Sequence, residues 1–268
     1  PAVLRRIDTA LEEDAGRGDV TARLTVPPGA RGAGRVIARA PVVLSGLDVF
    51  AAVLRRVDPA VEVAPRAADA DRVAPGEAVA EARGDLASLL VGERVALNFL
   101  QRLCGVATLT RRFVDALPAG AATRVVDTRK TTPGLRWLER RAVRHGGGAN
   151  HRADLAGGVL IKENHVAAAG SIGAAVAACR AGAPHCLRVE VEVRDMAELG
   201  EALEAGADAV LLDNFTPEAA RRGVERAAGR ALVEASGGVD LETAPRFAEA
   251  GVDLISVGAL THSAPAAD

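Results

Sequence analysis

The sequence predicts an α/β protein whose larger part is built around a parallel sheet. From residue 123 onward, short apolar runs alternate with helix-like segments at intervals of roughly 20–30 residues, as in successive βα units. Six such units predict a barrel of the TIM type that is short of two strands. A doubly wound sheet is the alternative, although the first strand–helix turn lacks the GxGxxG sequence of dinucleotide-binding sheets.

The first 87 or so residues are irregular and predict a smaller α+β domain. Short β-like runs occur at residues 35–39 and 41–44, with turn residues rich in Pro and Gly around them. Residues 47–57 follow the pattern of an amphipathic helix. A long helical pattern covers about 87–117, and Gly105 is expected to break or bend it.

The six apolar runs are the predicted strands of the barrel, and the segments between them are its predicted helices. Thr216 and Pro217 form a helix start signal, because a capping residue precedes a proline in the first turn. The predicted strands are residues 124–126, 158–161, 187–193, 209–212, 231–233 and 254–257. The predicted helices are about 171–182, 195–206, 217–228 and 241–250.

Composition argues against several classes of function. Lys and Arg total 33 against 35 Asp and Glu, a formal net charge of −2, whereas a nucleic-acid-binding protein would show a basic excess. Aromatic residues make up only 2% of the chain, which leaves little for stacking on single-stranded nucleic acid. No apolar run approaches about 18 residues, so no membrane segment is expected. The three Cys fit neither a disulfide framework nor a metal site, and we expect a cytoplasmic protein.

Polar or glycine residues follow each predicted barrel strand, at the C-terminal ends where barrel enzymes carry their chemistry. A charged residue beside one strand is common, but six strands that end this way are harder to attribute to solvation alone. We therefore expect one active site at this end of the barrel. The residues concerned include Arg129, Lys130, Lys162, Glu192, Asp213, Ser236, Gly237, Gly238 and Gly258.

Positive charge is concentrated in residues 124–165, which hold nine Lys or Arg against four acids, a local net charge of +5. Arg binds carboxylates and phosphates in bidentate geometry, and Lys adds point charges. A solvated basic helix is the favoured interpretation for four of these arginines, but not for the cations at strand ends. The four are Arg136, Arg140, Arg141 and Arg144.

The later predicted strands carry acidic residues at the same end of the barrel. Glu192 and Asp213 are placed to hold Mg²⁺ through water or to accept hydrogen bonds from sugar hydroxyls. The glycines at 237, 238 and 258 lie in the last two strand–helix turns, where TIM barrels commonly bind phosphate through backbone N–H groups. The site is therefore expected to bind a multiply anionic ligand, with phosphate at one end and a cation cluster at the other.

An ordered series of motifs runs along the chain: GERVALN (92–98), LCGVAT (103–108), DTRKTTPG (127–134), GGGANHR (146–152), LIKENH (160–165), EVE (190–192), LLDNF (211–215) and EASGG (234–238). This series resembles the quinolinate phosphoribosyltransferase family over nearly the whole chain. The resemblance implies an N-terminal sandwich domain over residues 1–103, an open six-stranded α/β barrel over residues 104–268, and a head-to-tail homodimer.

The resemblance also implies a reaction. Quinolinate and phosphoribosyl pyrophosphate would give nicotinate mononucleotide, pyrophosphate and carbon dioxide, a step of de novo NAD biosynthesis. It requires Mg²⁺ and no organic cofactor. Quinolinate carries two carboxylates, which accounts for the Arg-rich character of the predicted site.

The family pattern assigns roles to individual residues. The quinolinate carboxylates would be held by Arg129, His151, Arg152 and Lys162. The 5′-phosphate would be held by Ser236, Gly237, Gly238 and Gly258. The catalytic set would be Lys130 at the pyrophosphate, with Glu192 and Asp213 near the ribose hydroxyls and Mg²⁺. Arg94 would reach into the site of the neighbouring subunit.

Three alternatives are weighed against this function. A transporter-associated paralogue of the same fold would be expected to lose the dicarboxylate-binding residues, yet His151 and Arg152 are intact. A Schiff-base aldolase would use Lys162 or Lys130 as its nucleophile, but the crowd of neighbouring arginines fits anion binding better. A non-enzymatic phosphosugar-binding regulator would not need both the acids of the later strands and the arginine cluster.

Overall fold

The computed structural model describes residues 2–268, which fold into two compact units. The first unit comprises the described residues up to Leu109 together with Pro133–Gly147 and Ala264–Asp268. The second comprises Thr110–Thr132 and Gly148–Ser263. The predicted division into residues 1–103 and 104–268 is a division along the sequence and stays a prediction, whereas the compact units are discontinuous in sequence.

The first unit combines helices with antiparallel strands. Its strands are β1 (Arg31–Ile37), β2 (Val42–Val43), β3 (Glu62–Pro65), β4 (Arg72–Val73) and β5 (Ala78–Asp85). The helices that begin in it are α1 (Ala2–Ala15), α2 (Val20–Thr25), α3 (Leu47–Val57), α4 (Leu86–Ala116) and α5 (Arg136–His145). The main sheet has the order β1-β5-β3, and β2 pairs separately with β4. The expected small domain with mixed α and β structure is confirmed.

The long helix α4 corrects one expectation. It runs for 31 residues without the predicted break at Gly105. Packing explains the glycine instead, because a Cβ at this position would overlap the carbonyl oxygen of Pro265. Gly105 therefore provides room for the C-terminal segment rather than ending the helix.

Helix α5 contributes to the packing of the first unit. Its Glu139 is fully buried and accepts hydrogen bonds from Arg102 Nε at 3.1 Å and Nη2 at 2.7 Å. Arg102 also donates from Nη1 to the carbonyl oxygen of Ala264 at 2.8 Å. On the same helix, Arg141 forms a bidentate pair with Asp48 at 2.6 and 2.7 Å. This helix is therefore tied into the first unit by specific ion pairs.

Six parallel strands form one sheet in the second unit. They are β6 (Arg124–Val126), β7 (Val159–Ile161), β8 (Val189–Val193), β9 (Ala209–Asp213), β10 (Leu232–Ser236) and β11 (Leu254–Ser256), in the order β6-β11-β10-β9-β8-β7. Every neighbouring pair is parallel. β6 and β7 follow one another in sequence but lie at opposite edges, so the sheet stays open. The open six-stranded α/β fold is thereby confirmed.

The helices of the second unit lie between or after these strands. They are α6 (Glu163–Ala169), α7 (Ile172–Gly182), α8 (Met196–Glu204), α9 (Pro217–Ala227), α10 (Ala244–Glu249) and α11 (Ala259–His262). The predicted start at Thr216 is confirmed, since its hydroxyl accepts a hydrogen bond from the N–H of Ala219. α6 and α11 were not predicted. In the part of the chain described, no helix is both long and apolar enough to span a bilayer.

Candidate active site

A cavity of about 510 Å³ opens at the C-terminal ends of the parallel strands, lined by residues within or directly after all six. Strand direction explains this convergence, because parallel strands all present their carboxyl ends at one edge. Ten predicted site residues line the cavity: Arg129, Lys130, His151, Arg152, Lys162, Glu192, Asp213, Ser236, Gly237 and Gly238. The structure thus brings them together, while the role of each stays a prediction.

Two predicted residues are placed differently. Gly258 does not line the cavity directly, but a Cβ there would lie 3.1 Å from Cδ of Lys130. The glycine therefore leaves space for the lysine side chain. Arg94 is exposed on α4 in the first unit, where it lines a separate cavity.

The basic segment 124–165 does not act as one cluster. Arg136, Arg140, Arg141 and Arg144 all lie on α5 in the first unit and do not line the active-site cavity. These four residues therefore lie on the basic helix that the sequence predicts, and they do not contribute to the active-site cavity. The physical reason is that the chain leaves the second unit at residue 133 and returns at residue 148.

Cations and acids alternate around the cavity. Nζ of Lys162, at the end of β7, forms an ion pair with Glu192 on the neighbouring strand β8. Arg152 donates from Nη1 to the carbonyl oxygen of Gly158 at 3.0 Å. Burial, followed by the charge of Arg129, lowers the pKa of Arg152, and both residues line the cavity. Two like charges beside one cavity favour an anionic ligand between them.

Asp127 holds the loop that carries the cavity residues His151 and Arg152. It follows β6 directly and is fully buried. Its Oδ1 accepts the backbone N–H of His151 at 2.9 Å, and its Oδ2 accepts from Nδ2 of Asn150 at 2.5 Å. Its role was not predicted, although a carboxylate directly after an apolar strand was a visible signal.

Lys130 is also anchored through its backbone. The hydroxyl of the buried Thr261 donates to the carbonyl oxygen of Lys130 at 2.8 Å. Both residues belong to the second unit, in which Thr261 lies on α11. The contact fixes the loop after β6 at the point where the lysine enters the cavity. Sequence reasoning could not find it, since the partners lie 131 positions apart.

The turn after β10 is built around two glycines with positive φ. Gly237 has φ +93° and Gly238 has φ +60°, conformations that favour glycine. A Cβ on Gly237 would overlap Oδ1 of Asn214 and lie 3.0 Å from its backbone nitrogen. Asn214 in turn donates from Nδ2 to Oδ2 of Asp213 at 3.0 Å. The turn and the predicted acidic residue are therefore in close contact.

Two buried glutamates lie beneath His151. Nε2 of His151 is 3.3 Å from Oε2 of Glu190 and 3.6 Å from Oε1 of Glu234. Burial and the adjacent Glu190 raise the pKa of Glu234 to about 7. The hydrogen bond to Glu190 raises the pKa of His151, while the N–H of Arg152, which donates to Nδ1 at 2.8 Å, opposes protonation there. Neither glutamate was predicted as a site residue, although a charge inside an apolar strand marked each.

Fold and site together define a protein of the α/β-barrel class, with a cation-rich candidate active site at the C-terminal strand ends. Two family descriptions match the chain: "Quinolinate phosphoribosyl transferase, N-terminal domain" over residues 19–104, and the corresponding C-terminal domain over residues 106–268. The chain belongs to the quinolinate phosphoribosyltransferase family.

Individual relatives agree with the family match. The chain is 43% identical to the nicotinate-nucleotide pyrophosphorylase [carboxylating] of Mycobacterium leprae, over 96% of this chain and 92% of that protein. It is 41% identical to the probable enzyme of the same name from Bacillus subtilis, over 96% and 88% of the two chains. The crystal structure of NadC from Streptococcus pyogenes superposes with a TM-score of 0.94 at 41% identity, covering 99% of this chain and 94% of the other.

Proposed function

We propose that this protein is a decarboxylating quinolinate phosphoribosyltransferase. It transfers the phosphoribosyl group of phosphoribosyl pyrophosphate to quinolinate and releases nicotinate mononucleotide, pyrophosphate and carbon dioxide, in the synthesis of NAD. One observation carries the assignment. This chain belongs to the family, and its arginines, lysines and two accessible carboxylates line a single cavity of about 510 Å³.

The cations of the cavity suit the quinolinate dianion. We propose that Arg129, Arg152 and Lys162 hold its two carboxylates and fix the ring nitrogen in line with C1 of the ribose. The Lys162 side chain pairs with Glu192 and is 45% exposed at a cavity that two arginines also line, which suits anion binding. A Schiff-base aldolase is disfavoured, because its nucleophilic lysine is typically desolvated in an apolar pocket.

Glycosyl transfer then requires opposite charges on the two sides of the breaking bond. Loss of pyrophosphate develops positive charge on the ribose, which the carboxylates of Glu192 and Asp213 stabilise. Lys130 stabilises the negative charge that forms on the pyrophosphate. After the ring nitrogen is attached to C1, its positive charge stabilises the carbanion that remains at C2 when carbon dioxide departs. A proton from water then adds to C2 and gives nicotinate mononucleotide.

The donor set of the cavity fits Mg²⁺. This ion prefers oxygen ligands and is usually bound through one or two carboxylates together with substrate phosphates and water. Glu192 and Asp213 offer two such carboxylates in the cavity, and they are the residues we propose to hold the ion. When bound, Mg²⁺ would neutralise charge on the pyrophosphate.

Removal of divalent cations is expected to lower turnover at least tenfold, because the leaving group would then carry uncompensated negative charge. The measurement is the initial rate of pyrophosphate release before and after chelation with EDTA. Readdition of Mg²⁺ should restore the rate, and Asp213→Asn should raise the Mg²⁺ concentration needed. Undiminished turnover in EDTA would contradict the assignment.

We further propose a cytoplasmic homodimer in which Arg94 completes the site of the neighbouring subunit. Arg94 is exposed on α4 and is not among the residues that line its own chain's active-site cavity, which supports this arrangement. The cytoplasmic location is supported by three cysteines that are all free, as in a reducing compartment.

Subunit mixing tests the shared site. Arg94→Ala and Lys130→Ala homodimers are each expected to be inactive. After the two are mixed and allowed to exchange subunits, one site of each hybrid dimer has both residues intact, so about a quarter of wild-type activity should return. A mixture that exchanges subunits but stays inactive would contradict the shared site.

The test of the function itself is substrate preference. With phosphoribosyl pyrophosphate and Mg²⁺ present, quinolinate should yield nicotinate mononucleotide, whereas nicotinate should yield little, since it lacks the second carboxylate. Chromatography of the product measures both reactions. Formation of the mononucleotide from nicotinate but not from quinolinate would overturn the proposal.

A further inference from the structure

Both ring nitrogens of His151 are engaged by the protein. Nδ1 accepts the backbone N–H of Arg152 at 2.8 Å, so this nitrogen must carry a lone pair and no proton. The ring proton then lies on Nε2, which faces Glu190 at 3.3 Å and Glu234 at 3.6 Å. Neither nitrogen is left to bind a carboxylate of the substrate. His151 nevertheless lines the cavity.

The two glutamates are unusual in their burial. Glu234 is only 1% exposed and Glu190 only 9%. Within the described chain, neither carboxylate oxygen of Glu234 has a hydrogen-bond partner of standard geometry. A buried carboxylate costs free energy unless polar groups compensate it, and the imidazole N–H of His151 and the hydroxyl of Ser256 both lie beside Glu234. The arrangement therefore indicates that the two glutamates together fix the position of the His151 ring.

A metal ion is the competing explanation for this cluster. The ligand atoms of His151, Glu190 and Glu234 lie within 4.8 Å of one another, a spacing that could hold a cation. A metal at Nε2 requires that nitrogen to be unprotonated, and Nδ1 would then donate its proton to an acceptor. Here Nδ1 faces a donor instead, so the hydrogen bonding favours a proton at Nε2 over a metal.

We propose that Glu190 and Glu234 are positioning residues of the quinolinate site, which act by holding the ring of His151 through its Nε2–H group. The inference rests on the proposed function and changes one part of it. His151 helps to form the site by the fixed position of its ring and of the adjoining Arg152, whose N–H is bonded to that ring. It does not donate a hydrogen bond to the substrate.

The chain from glutamate to substrate has three links. The acids hold Nε2, Nδ1 receives the Arg152 N–H, and the Arg152 guanidinium lines the cavity with Arg129. Without the glutamate acceptors at Nε2, the ring of His151 could rotate, and the backbone N–H of Arg152 would lose its fixed partner. Quinolinate binding should weaken, whereas binding of phosphoribosyl pyrophosphate, which we propose to involve Lys130 and the turn after β10, should not.

The test compares two replacements at each glutamate. Glu190→Leu and Glu234→Leu keep approximate side-chain volume but remove the acceptor. Glu190→Leu should raise KM for quinolinate about tenfold, the effect of one hydrogen bond, and Glu234→Leu should raise it about fivefold, because its contact with Nε2 is longer at 3.6 Å. Glu190→Gln and Glu234→Gln remove the charge but keep an acceptor oxygen, and the increase should be less than about twofold. KM for phosphoribosyl pyrophosphate should change less than twofold in all four variants.

Equal damage by Gln and Leu would overturn the proposal, because it would show that charge or a metal ligand matters rather than the acceptor. Equal increases in both KM values would also overturn it, since they would indicate a general loss of structure. Circular dichroism and thermal melting show which variants fold. A Leu variant that does not fold is replaced by Met at the same position, which is unbranched like Glu and also lacks the carboxylate acceptor.

A second measurement needs no turnover and therefore separates this inference from the proposed function. Nitrogen-15 spectra of the histidine-labelled wild-type protein report the protonation of each ring nitrogen, and His151→Gln identifies the His151 signals among five histidines. We expect Nε2 protonated and Nδ1 unprotonated at pH 7.5. A proton on Nδ1 would overturn the proposal even if the enzyme is active. Inactivity towards quinolinate with the expected tautomer would overturn the function alone.

Discussion

Replacing Gly237 by alanine is expected to lower kcat/KM for both substrates at least about a hundredfold. The new Cβ would overlap the side chain of Asn214 and crowd its backbone nitrogen at 3.0 Å. Asn214 cannot move freely, because it is bonded to Asp213 at 3.0 Å and its backbone N–H donates to Ser236. A displacement there reaches both the predicted phosphate turn and the predicted acid at the ribose.

The matched control for this variant is Gly229→Ala. Gly229 also has a positive φ, +74°, but lies in an exposed turn with nothing within 4 Å of the added Cβ. Both variants carry the strain of a left-handed alanine, about 1–2 kcal/mol. Only Gly237→Ala carries the clash. Steady-state kinetics on both proteins separates the two effects, and similar kcat/KM values would contradict the structural account of the turn.

Replacing Glu139 by alanine is expected to destabilise the protein by about 3–5 kcal/mol, the usual result of removing one partner from a buried ion pair. Glu139 is fully buried, and the Arg102 guanidinium that it accepts from is about three-quarters buried. Without the carboxylate, the Nε and Nη2 groups of that guanidinium would lose the acceptor they share. Equilibrium urea unfolding, followed by circular dichroism, measures the change.

Glu218→Ala is the control for the effect of burial. Glu218 pairs with Arg246 at 2.7 Å, a distance equal to the shortest contact of the buried pair, but both side chains are more than half exposed. Exposed pairs contribute little because water and salt screen them. The midpoint of unfolding should therefore move clearly for Glu139→Ala and hardly at all for Glu218→Ala. Equal shifts would show that burial does not increase the contribution of the Arg102–Glu139 pair to the free energy of unfolding.

The barrel could be predicted from sequence because its signals are local. Each of the six predicted apolar runs overlaps a strand of the parallel sheet, from Arg124–Val126 to Leu254–Ser256. The sheet order is also largely implied, since parallel strands joined by helices tend to be neighbours. Polar residues after such strands therefore converge in space, which is why most of the predicted site lies around one cavity.

The N-terminal strands were harder to predict. β5 has the sequence AVAEARGD, and β3 is the four-residue strand EVAP. Their residues have little intrinsic preference for β structure, and pairing with β1 decides their conformation. Such pairing is a long-range property that no short window of sequence contains.

The basic helix shows a related limit. Arg141 and Arg144 are close in sequence to the strand-end cations, and a count of charge assigns them to the same cluster. The chain instead places α5 in the first unit, where Arg141 pairs with Asp48, 93 positions away. Buried partners such as Glu139, Glu190 and Glu234 were missed for the same reason: their roles depend on residues distant in sequence.

The release of carbon dioxide tests the central claim most directly. Quinolinate labelled in its C2 carboxyl group is incubated with the enzyme, phosphoribosyl pyrophosphate and Mg²⁺, and labelled carbon dioxide and pyrophosphate are both measured. A dicarboxylate site that completes glycosyl transfer and decarboxylation should release them in equal amounts, together with nicotinate mononucleotide. Pyrophosphate without labelled carbon dioxide, or neither product, would contradict the account.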